Sequence, residues 1–225
     1  MSNLFINSVF NYYNLSLQKK YSPVTEKRTY VRTHQMIRHN KELFNYISDL
    51  ARLKSGAGIE LHSFSPGQHI LSEGKKVFYV YIISSGVVKC YFNTESGGTF
   101  IQEFFGEGEL FGEIELMDET VSYCTVEAIE NVALYQIRKQ DFIRLLEENQ
   151  QLNRLFIKAL ITKLKYKATR HSFNQLHTIA EKLERLKARV PDLEKVIAKQ
   201  DIADYLGITL RALNRTIKGK ADPSV

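Results

Sequence analysis

The spacing of apolar residues changes along this chain, and each change indicates a different kind of structure. Residues 1–39 are rich in asparagine, tyrosine and basic residues and show no clear period. Residues 40–54 carry leucine and isoleucine at helical spacing, and glycines follow them as a stop signal. The pattern therefore predicts a helix over 40–54, preceded by an extension of unknown role over 1–39.

Between residues 59 and 138 the pattern is that of β-structure. Short runs rich in β-branched and aromatic residues alternate with turn signals that contain glycine, proline and serine. The main runs are 77–83, 87–92, 99–105 and 123–137. Many short strands at this spacing predict a sandwich or a jelly roll.

From residue 139 the apolar period becomes helical. A short amphipathic piece over 141–148 is followed by a stripe at i, i+3 and i+4 spacing. Its members are Leu152, Leu155, Phe156, Ala159, Leu160 and Leu164. Such a stripe either faces the core of its own domain or forms the seam between two helices. A further helix is predicted over 176–188.

Residues 199–218 have the pattern of two short helices joined by a tight turn. Gly207 stands where such a turn needs a positive φ, and Thr209 is suited to cap the second helix. A small residue at Ala203 and an apolar residue at Leu213 allow the helices to cross at close range. The pattern predicts a helix-turn-helix, and the open alternative is a helical hairpin that binds no DNA.

Charge is divided unevenly along the chain, whose net charge is +6. Residues 1–60 carry +5, residues 61–148 carry −8 and residues 149–225 carry +9. A basic C-terminal third is a candidate for nucleic acid, because phosphate contacts release counterions. The alternative is a solvated basic helix surface.

Composition excludes several classes of protein. No apolar run reaches the roughly 18 residues of a membrane span, and the N-terminus does not have the pattern of a secretory signal. Cys90 and Cys124 are far apart in sequence and lack metal-site spacing, so we expect free thiols in a reduced cytoplasm. The histidines are scattered and no nucleophile or phosphate-loop motif occurs, so no catalysis, metal or cofactor is expected.

The stretch GEGELFGEIELMDETVSYCTVEA, residues 106–128, carries the most specific signal. It resembles the phosphate-binding cassette of cyclic-nucleotide-binding domains in the Crp/Fnr family of bacterial transcription regulators. The glycine turns that precede it occur in the same order as in that jelly roll. The resemblance implies an α+β chain with a jelly-roll sensor domain over 40–148, a dimerisation helix over 149–170 that uses the apolar stripe, and a helix-turn-helix DNA-binding domain over 171–225.

The resemblance also identifies candidate effector residues, namely Gly112, Glu113, Ser122, Tyr123 and Lys163. Glu113 matches the glutamate that binds the ribose, with a structural cap as its alternative role. Ser122 replaces the arginine that pairs with the cyclic phosphate, Tyr123 adds bulk beside it, and Lys163 falls where adenine-contacting hydroxyls lie. Because a buried phosphate needs a cation, we expect that cyclic AMP is not the effector, which is then unknown or absent.

For DNA, the resemblance implies that the helix over 209–218 enters the major groove. Its candidate contact residues are Thr209, Leu210, Arg211, Asn214, Arg215 and Lys218, with Lys199 and Gln200 as further candidates for phosphate contacts. Few residues remain after Gly219 for the β-hairpin wing of this family. Either the wing is lost or the chain is a truncated version of a longer protein.

Together these features predict a homodimeric, cytoplasmic bacterial regulator of transcription that is not an enzyme. Its expected partners are double-stranded DNA, a second copy of itself and an unknown small-molecule effector, with RNA polymerase as a further candidate and no membrane. Two alternatives stay open. One is a protein-interaction module, and the other is a small-molecule sensor without a DNA role.

Overall fold

The computed structural model describes residues 36–53, 58–95, 97–190 and 192–219. Most of the predicted extension over 1–39 lies outside the described residues. The expectation about a wing after Gly219 also falls outside them.

The N-terminal part of the described chain is mostly β-structure. Its elements are β1 (Ile37–Arg38), α1 (Lys41–Leu53), β2 (Ile59–Phe64), β3 (His69–Leu71), β4 (Tyr79–Ser85), β5 (Val88–Asn93), β6 (Thr99–Phe105), β7 (Leu110–Phe111), α2 (Glu113–Asp118), β8 (Thr125–Ala128) and β9 (Val132–Arg138). The C-terminal part is helical. Its elements are α3 (Lys139–Glu148), α4 (Gln150–Leu176), α5 (Ile179–Lys187), α6 (Leu193–Val196), α7 (Lys199–Leu206) and α8 (Leu210–Lys218).

The described strands form two sheets. One has the order β1-β6-β5-β8-β3 and the other the order β2-β9-β4-β7. Strand β1 pairs with β6 in parallel, and the other pairings are antiparallel. Side chains from both sheets share one core that includes Ile83, Val88, Val126 and Leu134. The predicted α+β fold with an N-terminal jelly roll, a long helix and a helical C-terminal region is confirmed.

The backbone of Gly108, in the cassette, packs so closely against another segment of the chain that no side chain fits there. Gly108 has φ +79°, and a Cβ at this position would lie 2.0 Å from the carbonyl oxygen of Asn40. The chain entering α1 is bound to the same turn, since the Asn40 N–H donates to the Glu107 carbonyl at 2.8 Å. The close approach that requires glycine here is therefore made by the residues before α1.

Arg38 on β1 forms a buried ion network although it lies within the predicted extension. Its Nη1 donates to Glu103 Oε2 at 2.6 Å, and its Nη2 donates to Glu109 Oε2. The three side chains are at most 6% exposed. The guanidinium carbon also lies 5.0 Å from the ring centroid of Tyr166 on α4. One cation from β1 thus pairs with two buried carboxylates.

The long helix α4 packs along the jelly roll for much of its length. Its 27 residues span about 40 Å. Leu152, Leu155, Phe156 and Ala159 are buried in a cluster with α1, α3 and β4. Asn149 separates α3 from α4 and caps the latter, accepting the Leu152 N–H at 3.3 Å.

The helical region after α4 packs on the sheet that contains β6. Leu183, Ile202 and Leu213 share a buried cluster with Ile101 and Phe104 of β6. The predicted helix over 176–188 begins later, at Ile179, because Thr178 and Glu181 form a capping box at its start. Among the described residues, no helix is long and apolar enough to cross a membrane.

The Arg38 network yields a prediction about stability. We expect Arg38→Met to lower the free energy of unfolding by about 3–5 kcal/mol, because it leaves Glu109 buried without its cation and leaves Glu103 with only the more distant Lys167. Denaturant unfolding at neutral pH measures this change. Arg52→Met is the matched control, since Arg52 pairs with Asp49 at the surface, and its effect should stay below about 1 kcal/mol. Equal effects of the two variants would contradict the assigned role of Arg38.

Candidate effector pocket and nucleic-acid interface

The cassette places Glu113 in the first turn of α2, directly after Gly112. Glu113 is buried, and Lys163 reaches it from α4 with Nζ 2.6 Å from Glu113 Oε1. The same Nζ donates to the carbonyl of Leu110 at 2.6 Å and lies 5.4 Å from the ring centroid of Phe105. The glutamate that would bind a ribose is thus already paired with a lysine of the same chain.

Other carboxylates surround the same cavity. Lys167, one turn after Lys163, lies 3.4 Å from Glu103 Oε1. Burial raises the pKa of Glu115, and the nearby Glu113 raises it further. Two lysines of α4 therefore face a group of acidic side chains.

Ser122 and Tyr123 occupy different places in the cassette. The Ser122 hydroxyl is buried and donates to the carbonyl of Cys124 at 2.7 Å, and Ser122 does not line the cavity. Tyr123 does line it, with its hydroxyl 3.4 Å from Gln102 Oε1 and 3.5 Å from Lys167 Nζ. Burial raises the pKa of Tyr123, so the phenol stays protonated. Ser122 thus lies outside the lining of this cavity, with its hydroxyl bound within its own turn.

The two cysteines also line this cavity, Cys90 on β5 and Cys124 directly before β8. Their sulfur atoms lie 3.0 Å apart although 34 positions separate them in sequence. Both are free and buried. The hydrogen bond to Cys124, together with burial, raises the pKa of Cys90 well above its usual range. Cys90 is therefore a thiol at neutral pH and not a reactive thiolate.

The cavity itself is small. Gly112, Glu113, Tyr123 and Lys163 line it, which brings together four of the five predicted effector residues. It holds about 30 Å³ of free space, close to the volume of one water molecule. Ligand pockets usually hold about 300–1,000 Å³. Lys163, Tyr123 and their neighbours fill most of the space that a nucleotide would need.

The predicted helix-turn-helix segment forms α7 and α8. Gly207 has φ +68° at the turn, as the sequence predicts, and the Thr209 hydroxyl caps α8 by accepting the Ala212 N–H at 3.2 Å. Leu213 is fully buried and fixes α8 against the rest of the helical region. Thr216 lies in the same helix, and its hydroxyl donates to the Ala212 carbonyl at 3.0 Å.

The outer side of α8 is basic. Arg211, Arg215 and Lys218 are exposed, whereas Leu210 and Asn214 are half-buried. Helix α8 contains no acidic residue. Arg211, Arg215 and Lys218 follow one another at i, i+4 and i+7, so they lie along one side of the helix.

The two further candidates for phosphate contacts are exposed but engaged within the chain. Lys199 lies 3.3 Å from Glu194 Oε2, and the Gln200 side-chain amide donates to Asp204 Oδ1 at 2.8 Å. Either residue would have to exchange its present partner to bind a phosphate.

The predicted dimer stripe requires a correction. Leu152, Leu155, Phe156 and Ala159 are buried in the core of their own domain, and Leu160 is partly buried there. They are not available to a second chain because α1, α3 and β4 already cover them. Of the six predicted residues, only Leu164 is well exposed, at 70%.

A second apolar face of α4 is open to solvent. Ile157 is 50% exposed and Ile161 is 47% exposed, and with Leu164 and Ala168 they recur at alternating spacings of four and three residues. That spacing is typical of a two-helix seam.

The comparison with protein families identifies the segment that holds the cassette. Residues 61–149 match the model of the cyclic nucleotide-binding domain. This chain contains such a domain.

Curated proteins match up to about three fifths of the chain. The regulatory subunit of cAMP-dependent protein kinase from Candida albicans is 32% identical over 105 residues, which are 47% of this chain and 22% of that protein. The cyclic AMP receptor protein of Thermus thermophilus is 28% identical over 86 residues, 35% of this chain and 40% of that protein. The chain spans about a fifth of the length of the first curated relatives that it matches.

Solved structures resemble a larger part of the chain. CLP of Xanthomonas campestris, described as a c-di-GMP responsive global regulator, aligns with a TM-score of 0.66 at 14% identity, covering 73% of this chain and 87% of that one. FixK2 of Bradyrhizobium japonicum aligns with a TM-score of 0.61 at 20% identity, covering 72% and 84%. A CRP-family transcriptional regulator of Thermus thermophilus aligns with a TM-score of 0.60 at 14% identity, covering 71% and 84%. The chain therefore has the fold of Crp/Fnr-type regulators.

Sequence reasoning missed Arg38 and Lys167, the cations that pair with Glu103. Arg38 lies in a segment without periodicity, and Lys167 falls on a helix rich in lysine. The sequence does point to a buried charge at Glu103, because this residue interrupts the apolar run Thr99–Phe105 at a position that faces the interior. A charge inside such a run indicates a buried partner, although the sequence does not say which residue supplies it.

Proposed function

We propose that this protein is a homodimeric, cytoplasmic DNA-binding regulator of transcription of the Crp/Fnr type. The observation that carries the proposal is the exposed basic side of α8, formed by Arg211, Arg215 and Lys218 on a capped helix anchored by Leu213. In the proposed role α7 and α8 are a helix-turn-helix, and α8 enters the major groove. RNA polymerase is a further proposed partner on the DNA.

The chemistry of α8 fits a base-reading helix. An arginine can bind the O6 and N7 atoms of guanine with two hydrogen bonds, and Asn214 can bind adenine in the same manner. Thr209 and Leu210 at the start of the helix would then contact the backbone or a thymine methyl group. Without a carboxylate on α8, this surface does not repel the phosphates beside the groove.

Two substitutions test the DNA-binding proposal. A preferred duplex is first selected from a random-sequence pool, and its affinity is measured by fluorescence anisotropy over a salt titration. Arg211→Ala and Arg215→Ala should each weaken binding to this duplex by about 1–3 kcal/mol, or about 5- to 150-fold, with less effect on unrelated DNA.

Arg52→Ala is the matched control, because it removes an exposed arginine from α1 and should leave the affinity unchanged. If the intact protein binds no DNA even at low salt, the regulator proposal is wrong. The alternative of a protein-interaction module or a DNA-independent sensor then gains support.

The proposed dimer uses the open face of α4. Ile157, Ile161, Leu164 and Ala168 would meet the same residues of a second copy along a two-helix seam. Helix α4 is apolar on two sides, and its own domain covers only one of them. A second copy of α4 covers the other with matching spacing and brings two α8 helices to one DNA duplex.

The helix offers a matched pair of positions for testing this seam. Leu164→Glu should shift the protein from dimer to monomer, because it places a charge in the middle of the apolar face. Leu176→Glu is the control, since Leu176 is 79% exposed on the same helix but lies off the seam. Sedimentation velocity measures both variants. A dimer that survives Leu164→Glu, or dissociates equally with Leu176→Glu, would exclude this interface.

We further propose that cyclic AMP is not the effector. Lys163 already pairs with Glu113, and Ser122 offers no charge to a phosphate. Tyr123 narrows the cavity, and the neighbouring carboxylates Glu103 and Glu115 would repel an anion. An effector of different chemistry, or none, fits this cavity better.

Calorimetry tests the effector proposal directly. Titration of cyclic AMP into the protein should show no saturable binding up to about 1 mM, which corresponds to roughly −4 kcal/mol. Binding in the micromolar range would overturn the proposal. It would also require that Lys163 and Tyr123 move out of the cavity.

A further inference from the structure

A second cavity lies among the helices, away from the cassette. Residues of α4, α5 and α7 line it, together with Met36. It holds about 40 Å³ of free space. Neither the cassette resemblance nor the basic side of α8 accounts for it.

The lining of this cavity is strongly cationic. Arg170 comes from α4, Lys182 and Arg185 come from α5, and Arg189 comes from the turn that follows α5. Lys182 and Arg185 lie at i and i+3, so they share one side of the helix. None of the described residues that line the cavity is aspartate or glutamate. Four positive side chains thus converge without an acidic residue in the lining.

Arg170 is held rigidly at the edge of the cavity. It donates to the carbonyls of Gln102, Ile101 and Tyr205, the last two at 3.1 and 2.7 Å, and its guanidinium carbon lies 3.9 Å from the Tyr205 ring centroid. Its Nε is buried and has no hydrogen-bond partner. One donor of a fixed guanidinium is therefore left unused beside the cavity.

Arg185 is positioned by an aromatic ring. Its guanidinium carbon lies 3.8 Å from the ring centroid of Phe173 on α4. Stacking holds the guanidinium plane while its N–H groups stay free to point along that plane. Burial lowers the pKa of Arg185, and burial together with Arg185 lowers the pKa of Arg189. The Arg185 guanidinium is therefore partly desolvated beside the cavity.

We propose that this cavity between α4, α5 and α7 binds a small phosphate-bearing anion. Guanidinium groups bind phosphate through paired hydrogen bonds, and several cations favour a dianion over a carboxylate. Asn174 adds a neutral hydrogen-bonding group, and the small free volume limits the part of the ligand that enters to a phosphate group. Because α7 belongs to the segment proposed to bind DNA, a bound anion would contact both α4 and that segment.

The test uses the full-length protein and inorganic phosphate at constant ionic strength. Phosphate should raise the Tm in a saturable manner, because a ligand of the folded state stabilises it according to its concentration and Kd. Arg185→Gln and Lys182→Gln should each weaken the fitted phosphate Kd by about tenfold, as expected for the loss of a charge-assisted hydrogen bond. Arg52→Gln, an exposed change on α1, should leave the Kd unchanged.

The absence of saturable phosphate binding would overturn the proposal, and so would an equal loss of affinity in Arg52→Gln. A further outcome would show that the cluster binds phosphates of the DNA backbone instead. If free phosphate has no effect while Arg185→Gln lowers the salt slope of duplex binding by about one, the cluster serves DNA and not a small ligand.

Discussion

Buried carboxylates have to be matched by cations, and this constraint determines how the elements around the jelly roll are arranged. Glu103, Glu109 and Glu113 all lie inside the β-structure, where an unpaired charge would cost several kcal/mol. Glu103 lies on β6, Glu109 directly precedes β7 and Glu113 begins α2. Arg38 from β1 pairs with two of them, and Lys163 from α4 pairs with the third. The positions of β1 and of the long helix therefore follow from charge pairing as well as from apolar packing, and the same pairing fills the cavity that a nucleotide would otherwise enter.

Features with a local physical cause were predictable from sequence. The helix α1 follows from its apolar spacing, β6 coincides with the predicted run 99–105, and the turn between α7 and α8 follows from Gly207 and Thr209. Each of these depends on residues within a few positions of one another, so one short window holds the whole signal. The capping box of α5 is also local. Thr178 and Glu181 mark the start of this helix at Ile179, whereas the apolar pattern alone placed the start too early, at residue 176.

Features that depend on distant residues could not be predicted in the same way. Helix α4 is apolar on two sides, and its sequence does not say which side faces the domain. The buried side is determined by α1, α3 and β4, which are distant in sequence from most of α4 and cover Leu155 while Ile161 stays exposed. The Tyr46 hydroxyl on α1 also donates to Asn149 at the start of α4, at 2.5 Å. The pairing of Lys163 with Glu113 has the same origin, since 50 positions separate the two residues.

The two cavities differ in the sign of their lining charge, and this difference limits what each can hold. The cassette cavity contains Glu103, Glu113 and Glu115, so a ligand that displaces Lys163 from Glu113 must bring its own hydrogen-bond donors or a positive charge. An anion in this cavity would add a negative charge close to these three carboxylates. The helical cavity has the opposite requirement. Because α4 lines both, a ligand in either cavity acts on the same rigid element, and it can shift the balance between arrangements of α4 only by binding one of them more tightly.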